Sequence, residues 1–184
     1  ALTTGSDDLS SRLAGLEARG LVTVRATSAL VDEVEYAFRH ALILDVAYAS
    51  VPMGRRARAH AAVAAWLAQR TAREDEGVSE LIAHHYRTAL LGPGADLAWG
   101  EAPEDRETVR AAAVPALVAA GALARRRNLI GRAVELHEGA LELATADDER
   151  VIIHEELGDD HGWGYHGDPS VDAWTTAMRL RRSA

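Results

Sequence analysis

Two adjacent side chains, Arg39 and His40, stand where a protein could contact an anion. They follow a segment in which polar and apolar residues alternate, and they precede an apolar run that begins at Ala41. The first N–H groups of a helix have no partner within that helix, so they attract anions, and a side chain at such a corner can reach the same anion. The pattern allows an anion contact by His40. The alternative is a histidine that only caps or packs at the corner.

A second pair of histidines, His84 and His85, precedes Tyr86 within a helical pattern. Adjacent residues on a helix point about 100° apart. The two imidazoles are therefore poorly placed to bind one metal ion. We expect these three residues to pack within a helix and not to ligate a metal.

Further histidines and acids lie near the C-terminus, but their spacing matches no metal motif. His154 and Glu155 would need a second histidine at position 158 to form a His-Glu-x-x-His zinc motif, and a glycine stands there. The neighbouring acids lack the fixed spacing of a calcium-binding loop, so we interpret them as solvated: Asp159, Asp160, Asp168 and Asp172. His161 and His166 complete no motif, and the sequence predicts no metal site.

Catalytic motifs are also missing from the sequence. It has no cysteine, no Gly-x-Ser-x-Gly and no serine placed beside a His–Asp pair, so nucleophilic catalysis has no support. All 20 basic residues are arginine, which excludes the lysine of a Gly-x-x-x-x-Gly-Lys-Ser/Thr phosphate loop within residues 1–184. We predict no catalytic residues and no enzymatic activity for this chain.

Composition favours helices packed on helices. Apolar residues make up 48% of the sequence but include one phenylalanine, so alanine, leucine and valine must form the core. The formal net charge of −8 argues against broad binding to nucleic-acid backbones. The sequence has no run of eighteen apolar residues and no leader-like segment, and together with the missing cysteines this predicts a cytoplasmic location without a membrane span.

The N-terminal third has the element order of a winged-helix domain. Leucines three and four residues apart predict a helix from Leu9 to Glu17, capped by Asp7 or Asp8, and Gly20 provides a left-handed end. Two-residue alternation predicts strands at Leu21–Val24 and Glu33–Phe38, with a wing at Ala26–Asp32 between them. A helix is expected at Ala41–Ser50, followed by a break at Pro52.

The middle of the chain predicts two helices and a loop. Arg55–Arg70 is amphipathic, with an apolar face that we assign to Ala59, Val63, Trp66 and Leu67. After a polar connection at Thr71–Gly77, Ser79 could cap a helix at Glu80–Leu91. Ala95–Pro103 has no periodicity and is interpreted as a loop.

The C-terminal part resembles tetratricopeptide repeats. Leu117, Gly121, Ala133 and Ala140 follow one another at the spacings that this family uses for close helix packing. Pro115 would lie in the first turn of a helix, or would kink a helix that already runs in from Glu104, and Asn128 would lie in a turn. His137 occupies a position that is usually aromatic, and Thr145 replaces the usual proline. A second hairpin is predicted from Glu149–Asp160 and Val171–Arg181, with an irregular connection at Gly162–Gly167.

The segment from Tyr36 to Tyr48 resembles a block of the signal-transducing NTPases of the STAND class: Tyr-Ala-Phe-Arg-His-Ala-Leu-Ile-Leu-Asp-Val-Ala-Tyr. The similarity is to bacterial members in which an NTPase module regulates an adenylate cyclase or a LuxR-type DNA-binding domain. It implies a winged helix behind a nucleotide site, followed by helical hairpins. It also implies that His40 contacts the β-phosphate of bound ADP and locks the resting state, with Arg39 standing where that family has methionine.

These observations lead to a mainly α-helical fold with three parts. Residues 1–70 are expected to form the C-terminal part of a winged-helix domain and a connecting helix, residues 71–103 a linker helix and loop, and residues 104–184 tetratricopeptide-like repeats. The resemblance implies a fragment of a larger ATP-dependent signalling or transcription regulator. In that protein Arg39 and His40 would sense the nucleotide, and ATP or ADP with Mg²⁺ would bind outside this chain.

The expected partners are the adjacent NTPase domain and a protein or small-molecule inducer on the repeats. The alternative function is a winged-helix DNA-binding transcriptional regulator with a helical ligand-binding or dimerisation domain. Residues 1–60 contain as many acidic residues as arginines, so DNA binding by this segment is not favoured.

Overall fold

The computed structural model describes residues 6–28, 33–70 and 76–183. Within these ranges the chain is mainly helical, with 79% helix, nine helices and one two-stranded sheet, which confirms the predicted fold class at this level. The chain divides into two compact units, Ala1–Pro52 and Met53–Ala184. The elements of the first unit are α1 (Ser6–Ala18), β1 (Val22–Val24), β2 (Tyr36–Phe38) and α2 (Ala41–Ser50). Those of the second are α3 (Met53–Arg70), α4 (Glu76–Leu91), α5 (Ala95–Trp99), α6 (Pro103–Arg126), α7 (Ile130–Leu143), α8 (Asp147–Trp163) and α9 (Gly167–Ser183).

The first unit has the predicted order of helix, strand, strand and helix. α1 ends where Gly20 adopts a φ of 69°, the left-handed conformation that glycine tolerates best. β1 and β2 pair antiparallel with Val22 opposite Phe38. Both strands are shorter than predicted, because the ladder includes only three residues on each side. Residues 29–32 of the predicted wing lie outside the described part of the chain.

Helix α2 has the bounds that the sequence predicts, Ala41–Ser50. None of its residues is buried, although most of its side chains are apolar. The helix ends where Val51 turns to an extended conformation, directly before Pro52, as expected for a residue that precedes proline.

The second unit begins with α3 packed against α4 and α5. The apolar face that we assigned to α3 is partly wrong, since Ala59 is exposed and Val63 is 36% exposed. The buried face is formed instead by Ala57, Ala61, Ala64 and Leu67. Small side chains at three- and four-residue intervals allow the neighbouring helices to approach closely, and this favours the alanine face over the face with larger residues.

Two details between α4 and α6 differ from the sequence prediction. α4 begins at Glu76, so Ser79 lies inside the helix and is not its cap. Ala95–Trp99 is a short helix, α5, and not a loop. Trp99 is buried there, and its Nε1 donates a hydrogen bond of 2.9 Å to the carbonyl oxygen of Ala89. This tertiary contact fixes a helix too short to show a periodicity of its own.

Helices α6 to α9 pack as two successive pairs, α6 with α7 and α8 with α9, and α7 also packs on α8. Pro115 is not in a first turn, because α6 begins at Pro103 and continues past it to Arg126. Asn128 makes the turn between α6 and α7 with a φ of 61°. The connection between α8 and α9 is confined to residues 164–166, which is shorter than the irregular segment that we predicted.

The core of the second unit lies between α4, α6, α7 and α8. The positions assigned to the tetratricopeptide pattern are all buried, and Leu117, Ala133 and Ala140 have no exposed surface. By length and apolar composition, α6 would be long enough to cross a membrane. The central helix of a helical core can have the same length and apolar composition, so these two features alone do not indicate a membrane span.

Candidate functional site

The predicted nucleotide-sensing residues lie at the corner between β2 and α2. His40 is the N-cap residue of α2, with an extended backbone conformation, and its carbonyl oxygen accepts hydrogen bonds from the N–H groups of Ile43 and Leu44. Its imidazole makes no capping hydrogen bond to the helix and is exposed. The backbone N–H of Arg39 donates a hydrogen bond of 3.0 Å to the carbonyl oxygen of Leu21. The side chain of Arg39 is exposed, like that of His40.

This corner can present two hydrogen-bonding side chains beside the N-terminus of α2. Of the two roles considered for His40, side-chain capping of the helix is not what the structure shows. The arrangement is chemically suited to an anion, because both side chains and the helix N-terminus attract negative charge.

The three histidines of α3 and α4 form a cluster that the sequence does not reveal. His85 extends towards α3, where its Nδ1 lies 2.7 Å from Nδ1 of His60. The ring of His84 is 5.5 Å from that of His85, centre to centre. Burial and the neighbouring rings lower the pKa of His85 to about 4, and burial together with His84 lowers the pKa of His60. Both rings of the close pair are therefore neutral at pH 7.

A buried polar network joins α6, α7 and α8. Nδ1 of His137 lies 2.5 Å from Oδ2 of Asp160, and both side chains have no exposed surface. Nε2 of the same ring lies 3.2 Å from the carbonyl oxygen of Val118. The ring of His137 therefore bridges a carboxylate oxygen of α8 and a backbone carbonyl oxygen of α6.

The other oxygen of Asp160 accepts a hydrogen bond of 2.8 Å from Arg125, which also forms an ion pair of 2.6 Å with Glu156. Gly121 leaves room for the network, because a Cβ atom there would collide with the ring of His137. The carboxylate of Asp160 and the ring of His137 have no exposed surface, so solvent does not reach either group. We therefore interpret the network as structural, a role for Asp160 that differs from the solvated acid that we predicted.

A groove with a volume of about 360 Å³ lies on the last helical pair, α8 and α9. Three of its residues are aromatic and reach solvent: Trp163 is 67% exposed, Tyr165 is 96% exposed and Trp174 is 39% exposed. A Cβ atom at Gly158 would collide with the indole of Trp174, so glycine at this position lets the ring lie against α8. The groove is lined by Gly158, Asp159, Gly162, Trp163, Tyr165, Ser170 and Trp174.

The groove is open to solvent, and its volume falls within the range of ligand sites. Ligand sites in proteins are concave, about 300–1,000 Å³, and combine aromatic walls with a few polar groups. Its polar groups include the carboxylate of Asp159 and the hydroxyl of Ser170, which donates a hydrogen bond of 2.8 Å to the carbonyl oxygen of Gly158. We call these seven lining residues the aromatic groove.

The other sequence candidates are not brought together. Across the described residues, no group of three or more His, Cys, Asp or Glu side chains is arranged to hold a metal ion. His161 and His166 lie 5.8 Å apart between ring centres, beside the turn that joins α8 and α9. His154 lies on α8, where burial and the charges of Arg179 and Arg150 lower its pKa.

No protein-family model, curated protein or solved structure matches this chain.

Proposed function

We propose that this chain is the non-catalytic regulatory arm of a larger ATP-dependent signalling or transcription regulator. In this proposal the first unit is part of a winged-helix domain that closes on a neighbouring NTPase module. The second unit is a tetratricopeptide-like helical layer that receives an inducer or a partner protein. The chain would act in the cytoplasm and would have no catalytic residues of its own.

The observation that carries the proposal is the position of His40. The residue stands at the N-terminus of α2 with its imidazole exposed and making no capping bond to the helix. A histidine placed in this way can donate to a phosphate while the helix N–H groups support the same anion. This geometry supports the role that the STAND resemblance implies for His40, contact with the β-phosphate of ADP, with Arg39 beside it.

The aromatic groove supports the second half of the proposal. A receiving surface needs a concave site with exposed anchoring side chains, and large aromatic residues are the usual anchors. The groove lies on α8 and α9, in the helical pair farthest along the chain from His40.

The proposed mechanism is a shift between two populations of the regulator. Contacts of ADP with His40 would favour a closed resting form, and a ligand bound to the helical layer would favour an open, ATP-bound form. A ligand can shift this equilibrium only to the extent that it binds one form more tightly than the other.

The first experiment tests the isolated 184-residue chain. We expect it neither to hydrolyse ATP nor to bind ATP or ADP, because it has no lysine with which to build a phosphate loop. Calorimetric titration with Mg-ATP checks this. A dissociation constant in the micromolar range would refute the proposal that the nucleotide binds outside this chain.

The same purified chain distinguishes the alternative function, a winged-helix DNA-binding regulator with a helical ligand-binding or dimerisation domain. The proposal expects no change in fluorescence anisotropy of a labelled pool of random DNA duplexes at physiological salt. Salt-dependent binding that is lost on replacing the arginines of the first unit would favour the DNA-binding alternative instead.

A further inference from the structure

His60 on α3 and His85 on α4 bring two ring nitrogens together across a helix interface. The two Nδ1 atoms are 2.7 Å apart, and the ring centres are 4.9 Å apart. Sequence reasoning rejected a metal site at His84 and His85 because neighbours on one helix diverge. The partner of His85 is instead a histidine from the preceding helix, 25 residues earlier in the chain.

The protonation of the pair suits a metal ligand. A metal ion binds the neutral imidazole, and a protonated ring must first lose its proton. Burial and neighbouring histidines lower the pKa of His85 to about 4, and the pKa of His60 is lowered by burial and by His84. Each neutral ring carries one N–H proton and keeps one nitrogen lone pair that can bind a metal ion.

We propose that His60 and His85 form a two-histidine site for a first-row divalent transition-metal ion, which links α3 to α4. Without an ion, one Nδ1 donates a hydrogen bond to the other. When an ion binds, the donor ring moves its proton from Nδ1 to Nε2, so that both Nδ1 lone pairs face the metal and no proton is released.

The required movement is small. Zinc–nitrogen bonds are about 2.0–2.1 Å long, and tetrahedral geometry places two nitrogen ligands about 3.3 Å apart. The two Nδ1 atoms must therefore separate by about 0.6 Å, which rotation of the two side chains can provide. His84 beside the pair is exposed, so water can reach the site and fill the remaining positions.

The ligand set also predicts which ions bind. Imidazole nitrogen suits Zn²⁺, Ni²⁺ and Cu²⁺, whereas Mg²⁺ and Ca²⁺ need oxygen ligands. With two protein ligands, selectivity among the transition ions should follow the general order in which Cu²⁺ binds most tightly and Mn²⁺ most weakly.

Calorimetric titration of the untagged chain at pH 7.5 tests the site. We expect one Zn²⁺ or Ni²⁺ ion per chain, no heat from Mg²⁺, and a binding enthalpy that does not change with the ionisation enthalpy of the buffer. His60→Ala and His85→Ala should each weaken Zn²⁺ binding at least tenfold. His84→Ala and His166→Ala, which leave the pair intact, should retain it.

Thermal melts of each metal-free variant show whether it folds, and copper electron paramagnetic resonance counts the nitrogen ligands. Two nitrogens in the wild type and one in His85→Ala are expected.

The proposal is overturned if the wild type binds no Zn²⁺. It is also overturned if folded His85→Ala binds Zn²⁺ as tightly as the wild type, or if His166→Ala loses binding to the same extent.

Discussion

The buried network around Asp160 gives the sharpest test of how the second unit is held together. Asp160 accepts hydrogen bonds from His137 and Arg125 and has no exposed surface. The change Asp160→Ala removes the carboxylate and leaves both partners without it. Removing one member of a buried ion pair costs about 3–5 kcal/mol. In Asp160→Ala, His137 loses its buried hydrogen-bond partner, while Arg125 keeps its ion pair with Glu156.

The neighbouring residue provides a matched control. Asp159 is 47% exposed and lies 3.8 Å from the same arginine. An exposed ion pair contributes about 0–1 kcal/mol, so Asp159→Ala should lower the free energy of unfolding by no more than that. The two variants remove the same chemical group from adjacent positions, and they differ in burial and in the number of partners.

Urea denaturation followed by tryptophan fluorescence measures both variants. All four tryptophans lie in the second unit, so the signal reports unfolding of that unit. A loss of about 3–5 kcal/mol is large beside the about 5–15 kcal/mol that stabilises a typical domain. The reasoning is refuted if Asp160→Ala lies within about 1 kcal/mol of the wild type, or if Asp159→Ala is equally costly.

Two further predictions concern packing and pH. Ala133 is fully buried where α7 packs on its neighbours, so Ala133→Leu should destabilise the chain by about 1–3 kcal/mol through overpacking, whereas the exposed Glu135→Ala should cost about 0.5 kcal/mol or less. Thermal melts decide this, and equal small effects would remove support for the tetratricopeptide register. The lowered pKa of His85 means that the unfolded chain binds more protons between about pH 6.5 and pH 4, so stability should fall as the pH decreases through this window. The effect is on the order of 1 kcal/mol after allowance for solvent screening. The stability difference between wild type and His85→Gln should therefore change with pH over that window, and parallel pH profiles would contradict it.

The parts of the fold that sequence reasoning predicted well are those determined by local chemistry. Helix α2 begins after His40 and ends before Pro52, because strand alternation stops at one end and proline restricts the other. Gly20 and Asn128 adopt the left-handed conformations that their side chains tolerate, so the turns could be placed from residue type alone.

What sequence reasoning missed depends on contacts between distant residues. His137 and Asp160 are 23 residues apart, and His60 and His85 are 25 apart, so neither pair has a motif spacing. The buried face of α3 was also misplaced, because we gave more weight to large apolar residues than to the alanines that allow close helix packing. Helix α5 has only five residues, and the anchoring hydrogen bond of Trp99 is tertiary.

The aromatic groove had a weak signal in the sequence. Glycines and aromatic residues alternate near Trp163 and Tyr165, a pattern that by itself predicts only an irregular connection. The third aromatic residue, Trp174, comes from the following helix, so the groove forms only when α8 and α9 pack together.

In the proposed regulator, His40 holds the nucleotide-bound resting state. The most direct measurement is the amount of ADP that copurifies with the longer protein containing this chain, compared among the wild type, His40→Ala and the exposed control His84→Ala. Loss of one charge-assisted contact is worth about 1.5–3 kcal/mol, so His40→Ala should bind ADP at least about tenfold more weakly and show raised basal activity. The control should retain ADP as the wild type does. Unchanged ADP retention in His40→Ala, with unchanged basal output, would contradict the account and leave His40 with a structural role.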